Sequence, residues 1–319
     1  MTRILITRPL TQDVLARAHT LFDVEERQET TPMGAGQMRG ALAIYDGILP
    51  TLGDRFDASV FAGMEGTRCK ILANFGVGYD HIDVEAAKAA GVMVTNTPGA
   101  VTDATADIAM GLILSTARRF SEGERLLRAG KWQGWHPTQL LGAHVSGKHI
   151  GIVGMGRIGQ AIAQRAHYGF GMSVSYYARS EKTLPFAANF VPDLLDLAAQ
   201  CDVLVVALAR TPQTHHMIGP SVFEAMPAHA ILVNIARGDI VDEGALITAL
   251  EHEMIAGAGL DVYEMEPKVP QKLMDLENTT LLPHLGTACT DVRSAMGHMA
   301  LDNLDAFLKG QAPLHPVQR

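Results

Sequence analysis

Cysteine is scarce in this chain, and its scarcity limits the class of protein. The three cysteines, Cys69, Cys201 and Cys289, are an odd number and lack the spacing of a metal site. This pattern argues against a disulfide framework, so we expect reduced thiols in a cytoplasmic protein. The N-terminal residues MTRILITRPL also lack the long apolar core of a signal peptide.

An excess of positive charge and long apolar runs are also absent. The net charge is −8 over 319 residues, whereas surfaces that bind nucleic acid are basic. No apolar run approaches the roughly 20 residues that a membrane-spanning helix needs. We therefore expect neither nucleic acid nor a membrane as a partner.

Short apolar strands alternate with helical patterns, and this alternation predicts an α/β fold with parallel sheets. We predict two Rossmann-like or flavodoxin-like domains with a cleft between them. Residues 1–99 and 285–319 would form a discontinuous substrate-binding domain, and residues 100–284 a dinucleotide-binding domain. The predicted strands include Arg3–Thr7, Leu21–Val24, Ala41–Leu49, Arg68–Ala73, Val92–Thr95, Val203–Ala207, Ile231–Ile235, Ala256–Leu260 and Thr280–Leu282, and the clearest helices are Thr102–Arg119, Asp242–Glu251 and Ser294–Leu308.

A glycine-rich turn in mid-chain indicates a dinucleotide site. Gly154, Gly156 and Gly159 form a G-x-G-x-x-G pattern after the apolar strand Ile150–Val153 and before a helical pattern. The first glycine allows the tight turn, the second lets the backbone approach a pyrophosphate, and the third lets the helix pack against the strand. The N-terminus of that helix then faces the phosphate charge.

The end of the next strand, Met172–Tyr177, bears on which nicotinamide cofactor is used. NAD sites usually carry an acidic residue about 20 residues after the glycines, where it binds the ribose 2′-hydroxyl. Tyr177 takes that place here, and Arg179 and Ser180 follow. Because an arginine suits a 2′-phosphate, we predict NADPH or NADP as the cofactor, with NADH as a weaker substitute.

Three polar residues follow successive strands of the second half and are the candidates for catalysis. Arg237 follows one apolar strand, Glu266 follows the next, and His284 follows the last. Because parallel strands end at one edge of a sheet, we expect the three side chains to face one cleft on the cofactor's side. The nicotinamide carries the hydride, so the protein must supply orientation, charge stabilisation and a proton.

The chain resembles the D-isomer-specific 2-hydroxyacid dehydrogenase family over nearly its whole length. Within that family it is most similar to the NADP(H)-dependent glyoxylate/hydroxypyruvate reductases, in the strand end Ser175–Ser180 and in the segment Trp135–Pro137. The motifs that carry the resemblance are Asn74–Asp83, Asn96–Gly99, Thr102–Asp107, the glycine pattern, Asn234–Asp239 with Val241–Glu243, Asp261–Pro267 and Pro283–Thr287.

The resemblance implies reduction of a small 2-oxoacid, glyoxylate or hydroxypyruvate, to the D-2-hydroxyacid. It implies that Arg237 binds the substrate's carboxylate and carbonyl oxygen through its planar guanidinium. His284 would protonate that oxygen as the hydride reaches the carbon, and Glu266 would orient the imidazole and favour its protonated form. The backbone N–H groups of Val77 and Gly78 would bind the other carboxylate oxygen.

The resemblance also implies a homodimer in which Trp135 reaches into the partner's active site and limits the shape of the substrate. It places Asp261 and the backbone of Ala236 and Gly286 at the nicotinamide amide. The loop after Val203–Ala207 would pass over the adenosine ribose, although Ala207–Ala209 replaces the family's usual His-x-Pro element. The predicted cofactor-binding residues are Thr105, Gly154, Met155, Gly156, Arg157, Ile158, Arg179, Ser180, Leu208, Ala209, Ile235, Ala236, Asp261, His284 and Gly286.

We predict no metal site. The adjacent residues His215 and His216 lack partners at ligand spacing, and adjacent side chains of a strand point apart.

Other functions fit parts of the pattern. An NAD-dependent dehydrogenase of the phosphoglycerate type is a close alternative, but the acidic residue of an NAD site is missing and we expect no regulatory domain after Arg319. Formate dehydrogenases place Gln beside the histidine, where this chain has Glu266. A nucleotide-sensing, corepressor-like binding protein on the same fold is the alternative from a different class.

Overall fold

The computed structural model describes residues 2–64 and 66–317, which divide into two compact α/β units. The first unit contains the residues up to Val101 and from Thr287 onward, and the second is Thr102–Gly286. Each division lies two residues beyond the boundary expected from the sequence, at 99 and at 284. The chain ends of the predicted substrate-binding domain, residues 1, 318 and 319, lie outside the described residues.

Every strand-to-strand pairing in the two main sheets is parallel among the described residues, which confirms the predicted fold class. The strands are β1 Arg3–Ile6, β2 Asp23–Glu26, β3 Gly47–Leu49, β4 Ile71–Ala73, β5 Met93–Thr95, β6 His149–Val153, β7 Ser173–Tyr177, β8 Asn189–Phe190, β9 Val203–Val206, β10 Ile231–Asn234, β11 Gly257–Leu260 and β12 Thr279–Leu281. The α-helices are α1 Gln12–Leu21, α2 Ala35–Ile44, α3 Ala58–Phe61, α4 Val84–Ala89, α5 Thr102–Ala117, α6 Phe120–Arg128, α7 Arg157–Phe170, α8 Leu194–Gln200, α9 Pro220–Ala225, α10 Glu243–Glu251, α11 Gln271–Asp275 and α12 Thr290–Leu308.

The first unit is a five-stranded sheet in the order β2-β1-β3-β4-β5 with helices on both faces. Successive side chains of a strand point to opposite faces, so Ile4 and Ile6 join one core and Leu5 the other. The first core also receives Leu301 and Leu304 from α12. The last helix of the chain therefore completes the unit that begins at the N-terminus.

One predicted strand of the first unit is wrong over half its length. Residues 41–44 belong to α2 rather than to a strand, and only Gly47–Leu49 of the predicted segment is extended. Met38, Ala41 and Leu42 are buried together on one face of the helix, at a spacing typical of an amphipathic helix. A short apolar run does not distinguish a buried strand from a buried helical face.

The second unit is a seven-stranded sheet in the order β12-β11-β10-β9-β6-β7-β8. The chain order reverses at β6, which lies between β9 and β7, and ligands of such folds bind at the strand ends beside this reversal. A separate hydrophobic core covers each face of the sheet. No helix among the described residues is long and apolar enough to cross a bilayer.

Gly159 determines how closely α7 approaches the strand before it. A Cβ built at this position would overlap the carbonyl oxygen of Gly154 and would lie 3.3 Å from Cγ2 of Ile152. Only glycine therefore allows the first turn of the helix to pack on the end of β6, as the third position of the glycine pattern predicts.

We expect Gly159→Ala to lower the free energy of unfolding by about 1 to 3 kcal/mol, because the backbone must shift to admit the methyl group. Gly169→Ala is the matched control in the same helix, since a Cβ there meets nothing within 4 Å. That control should raise stability by up to about 1 kcal/mol through helix propensity. Urea denaturation of both variants measures the difference, and equal effects would contradict the packing argument.

Candidate active site

Five neighbouring strands of the second unit end level with one another. The aligned pairs are Val153 with Val206, Val206 with Asn234, Asn234 with Leu260, and Leu260 with Leu281. The turns that follow these strands therefore begin at one edge of the sheet. These turns carry most of the predicted cofactor and catalytic residues.

The glycine turn after β6 fits the pyrophosphate of a dinucleotide. Gly154 has a φ of +106°, and a Cβ there would lie 2.6 Å from Cβ of Leu208 in the loop after β9. A Cβ at Gly156 would meet nothing within 4 Å, so the backbone is uncovered where a phosphate would approach. Gly156 is also the N-cap of the 14-residue helix α7, whose N-terminus favours negative charge.

The other predicted cofactor residues differ in accessibility. Arg157, Arg179, Ser180 and Ala209 are exposed, whereas Ile158 and Leu208 are half-buried. Met155, Thr105, Ile235, Ala236, Asp261 and Gly286 are buried.

His284 and Glu266 form a direct pair after β12 and β11. The Nδ1 atom of His284 lies 2.8 Å from Oε2 of Glu266, and Oε1 accepts the backbone N–H of Tyr263 at 3.0 Å. Burial acts to raise the pKa of Glu266, but the hydrogen bond and charge of His284, with Tyr263 N–H and Arg237, outweigh it and lower the pKa overall. The pair leaves Nε2 as the ring nitrogen turned away from the carboxylate.

Asp261 fixes the backbone of residues 284–286 through hydrogen bonds. Its carboxylate accepts the N–H groups of Leu285 at 2.6 Å and Gly286 at 2.8 Å, and its carbonyl oxygen accepts the N–H of His284 at 2.9 Å. His284 has a φ of +55°, in the left-handed region that is unfavourable for a residue with a Cβ. Burial raises the pKa of Asp261, and the two N–H groups and His284 offset part of this shift.

Asn234 performs the corresponding task for Arg237. Its side chain, 1% exposed, accepts the N–H of Ala236 at 3.0 Å and donates to the carbonyl oxygen of Arg237 at 2.9 Å. Nη1 of Arg237 donates to the carbonyl oxygen of Ala236 at 2.8 Å. The N–H groups of Ala236 and Gly286 thus have protein acceptors. The carbonyl oxygen of Gly286 accepts the hydroxyl of Thr105 at 3.2 Å, so each of the two carbonyl oxygens has one lone pair left for a nicotinamide amide.

Gly238 lets the turns after β10 and β11 touch. A Cβ there would overlap the backbone of Tyr263 and Glu264. Glu243, at the first turn of α10, accepts the N–H of Glu264 at 2.8 Å. Burial raises the pKa of Glu243, and the charges of Glu264 and Glu266 add to the increase.

The first unit presents the turn that contains Val77 and Gly78. The buried side chain of Asn74 donates to the carbonyl oxygens of Gly76 at 3.0 Å and Gly78 at 2.9 Å, and Asn96 donates to that of Val77 at 2.9 Å. Within residues 2–64 and 66–317, the N–H groups of Val77 and Gly78 have no protein acceptor. They are therefore available to an anion, as the predicted role requires.

Trp135 lies in a segment of the second unit that has no regular secondary structure, and it is 80% exposed. It does not pack on its own unit as a buried tryptophan would. Its predicted role at a partner subunit remains a prediction.

His215 and His216 do not point apart as residues of a strand would. They follow a 3-10 turn, and their rings stack with centroids 4.0 Å apart. Nε2 of His216 lies 3.1 Å from Oε1 of Glu264, so Glu264 completes a group of three potential ligands within 4.8 Å. The physical reason given for predicting no metal site was wrong, although the prediction itself is untested.

Sequence reasoning did not identify Asn74 and Asn234 as the residues that hold the site's turns. Each directly follows or ends a short apolar strand, and each is a polar residue in a buried position. That placement was the available signal, because a buried amide needs partners in the adjoining turn. The backbone conformation of His284 left no signal in the sequence.

Comparisons with known proteins show which family this chain resembles. The model for the NAD binding domain of the D-isomer specific 2-hydroxyacid dehydrogenases matches residues 110–286. A glyoxylate reductase from Thermococcus onnurineus is 42% identical over 99% of this chain and 96% of its own length. A glycerate dehydrogenase from Hyphomicrobium methylovorum is 38% identical over 97% of this chain and 96% of its own length.

A solved structure is similar over the same extent. It is an NADPH-dependent glyoxylate/hydroxypyruvate reductase from Sinorhizobium meliloti in complex with NADP and malonate. It has a TM-score of 0.88 and 36% identity, and the match covers 99% of this chain and 97% of that one.

The chain therefore belongs to the D-isomer specific 2-hydroxyacid dehydrogenase family, as its motifs indicated. It is an enzyme of that family, and its second unit contains the domain that binds a nicotinamide dinucleotide.

We expect Asn234→Ala to lower the free energy of unfolding by about 1 to 3 kcal/mol, because it removes two hydrogen bonds and leaves the buried N–H of Ala236 without an acceptor. Asn189→Ala is the control, since Asn189 is an exposed residue of the edge strand β8. Chemical denaturation of both variants measures the effect. A loss below about 0.5 kcal/mol at position 234 would show that the turn holds its shape without this side chain.

Proposed function

We propose that the chain catalyses the NADPH-dependent reduction of a small 2-oxoacid, glyoxylate or hydroxypyruvate, to the D-2-hydroxyacid, with His284 as the proton donor. The observation that carries the proposal is the 2.8 Å pair of His284 and Glu266, on turns that follow two strands of the dinucleotide-binding sheet. A proton donor oriented by a carboxylate is what carbonyl reduction requires of the protein.

The nicotinamide, when bound, supplies the hydride that becomes the new C–H bond at the carbonyl carbon. The proton for the carbonyl oxygen comes from Nε2 of His284, because Nδ1 is hydrogen-bonded to Glu266. The pKa of Glu266 is lowered, so its carboxylate stays ionised beside the imidazole and orients the ring through the hydrogen bond to Nδ1. Hydride and proton together convert the C=O group into an alcohol, which is primary for glyoxylate and secondary for hydroxypyruvate.

Substrate binding is assigned to one cation and to two backbone donors. The planar guanidinium of Arg237 matches a carboxylate next to a carbonyl group and stabilises negative charge on the oxygen. The N–H groups of Val77 and Gly78 are the proposed donors to the other carboxylate oxygen. Support for this part comes from their lack of protein acceptors among the described residues.

The preference for NADPH is proposed from the end of β7. Tyr177 is neutral, so no carboxylate there repels a 2′-phosphate, and the exposed Arg179 and Ser180 can donate to one. The Sinorhizobium meliloti relative, which is NADPH-dependent by name, supports the same preference.

We also propose a homodimer, in the cytoplasm, formed through α6 and the segment after it. Helix α6 has no buried residues, and Phe120, Leu127, Trp135 and Leu141 of this region are 56, 61, 80 and 66% exposed. A cluster of exposed large apolar side chains is typical of a protein interface. The three cysteines are free thiols, in keeping with a reducing compartment.

The direct test is to mix the protein with NADPH or NADH and with glyoxylate, hydroxypyruvate or pyruvate, and to follow absorbance at about 340 nm, the nicotinamide band. We expect turnover, faster with NADPH. His284→Ala should lose about 10²-fold or more of the rate while NADPH fluorescence still reports binding. Arg179→Ala should weaken NADPH and spare NADH. Cofactor binding without turnover on any 2-oxoacid would overturn the proposal and favour the corepressor-like alternative.

We expect Glu266→Gln to slow reduction, because a neutral amide holds the imidazole more weakly than a charge-assisted hydrogen bond to a carboxylate does. The pKa of Glu266 is lowered in the folded protein, so its carboxylate stabilises the fold above the unfolded-state pKa, and this stabilisation is lost as pH falls through the folded pKa. The stability difference between the native chain and the variant should therefore shrink in acid.

Initial rates of reduction, and urea denaturation between about pH 2 and 8, measure both effects, because this range extends below the ordinary pKa of Glu. Glu224→Gln, at an exposed site on α9, is the control and should change neither. An unchanged rate of reduction in Glu266→Gln would remove Glu266 from the proton-transfer step.

We expect Leu127→Glu with Trp135→Ser to convert the dimer to a monomer, because a buried charge and a lost aromatic contact weaken an apolar interface. Light scattering coupled to size exclusion gives the mass directly. Leu195→Ser, at a 42% exposed position on α8, is the control and should leave the dimer intact. A monomeric native protein would refute this part of the proposal.

A further inference from the structure

We propose that Lys182 is a further ligand for the 2′-phosphate of the cofactor, and that the hydroxyl group of Tyr176 positions the turn that presents it. The inference rests on the proposed preference for NADPH. It concerns residues 177–182, which we call the phosphate turn.

The phosphate turn is fixed to the core through Tyr176. This residue lies on β7 and is 1% exposed, and its ring packs beside that of Phe190 on the neighbouring strand β8 at a centroid distance of 5.6 Å. Its hydroxyl accepts the backbone N–H of Lys182 at 2.8 Å and donates to the carbonyl oxygen of the same residue at 3.4 Å. One buried side chain therefore folds the turn back onto the strand that precedes it.

This folding brings Lys182 next to the predicted phosphate ligands. Its Nζ donates to Oγ of Ser180 at 2.9 Å. The ammonium group has three protons, so two remain for another acceptor. The hydroxyl proton of Ser180 also remains free to point at a phosphate oxygen.

The charges of the phosphate turn favour a dianionic group. Arg179 and Lys182 supply two cations and Glu181 one anion. In the described part of the chain, neither Arg179 nor Lys182 is in an ion pair. By contrast, Arg165 of α7 pairs with both Asp103 and Asp107.

Lys182 also has room to change rotamer. It lines a surface cavity of about 500 Å³ with Glu181, Thr183 and Leu184, among others. The hydrogen bonds of Tyr176 fix the backbone of Lys182, whereas its exposed side chain can change rotamer at little cost in free energy. A 2′-phosphorylated adenosine is the chemical class that this arrangement fits.

The test compares two ligands that differ by one phosphate, adenosine 2′,5′-bisphosphate and 5′-AMP. Isothermal titration of the full chain measures both affinities without turnover. We expect Lys182→Met to weaken the bisphosphate about tenfold, as the loss of one charge-assisted hydrogen bond implies, and to leave 5′-AMP unchanged. Lys182→Arg should retain most of the affinity. Lys272→Met, which removes a cation that pairs with Glu251, is the matched control and should change neither ligand.

Tyr176→Phe tests the positioning role, because it removes the hydroxyl and keeps the ring. We expect several-fold weaker bisphosphate binding, unchanged 5′-AMP binding, and a higher KM for NADPH at unchanged kcat. Thermal melting checks that the variant is folded. If Tyr176→Phe does not fold, the variants Lys182→Met, Lys182→Arg and Lys272→Met still test whether Lys182 binds the phosphate.

The outcomes separate this inference from the proposed function. Equal loss of both ligands in Lys182→Met, or no loss, overturns the role of Lys182. A normal bisphosphate affinity in folded Tyr176→Phe overturns the positioning role. If Arg179→Met weakens the bisphosphate and Lys182→Met does not, only this inference fails. If the native chain binds both ligands equally, the preference for NADPH fails as well.

Discussion

Parallel hydrogen bonding between neighbouring strands of the second unit is the constraint on which the candidate site depends. The pairings of Val153, Val206, Asn234, Leu260 and Leu281 bring five strand ends to the same level. A slip of one residue would move each side chain of a strand to the opposite face, so the cores on both faces would have to repack. The alignment of the strand ends determines where the following turns begin.

The turns must also approach one another closely, and glycine residues allow this approach because they have no Cβ. Gly154 admits the loop that contains Leu208, and Gly238 admits the backbone of Tyr263 and Glu264. Buried polar side chains then fix the turns once they are in place. Asn234 does so as a neutral amide, whereas Asp261 does so as a carboxylate that spans two N–H groups.

Alternating strands and helices were enough to predict two parallel α/β sheets, because most of the strands are short apolar runs bounded by turn residues. The pairing of His284 with Glu266 was expected from the strand ends and from the resemblance. In the structure, Nδ1 of His284 lies 2.8 Å from Oε2 of Glu266. The helix at Ala35–Ile44 was missed because its apolar face is short. The hydrogen bonds of Tyr176 to Lys182 were missed because their geometry depends on how the turn folds back, which no local pattern records.

The left-handed backbone of His284 has a cost that concerns the evolution of the enzyme. A residue with a Cβ is destabilised there by about 1 to 2 kcal/mol relative to a relaxed conformation, and glycine is not. Selection for stability alone would favour glycine at this position. The hydrogen bonds to Asp261 would remain, and the backbone strain would be relieved. Under the proposed function, the imidazole occupies this position for its chemistry, against the backbone preference of the fold.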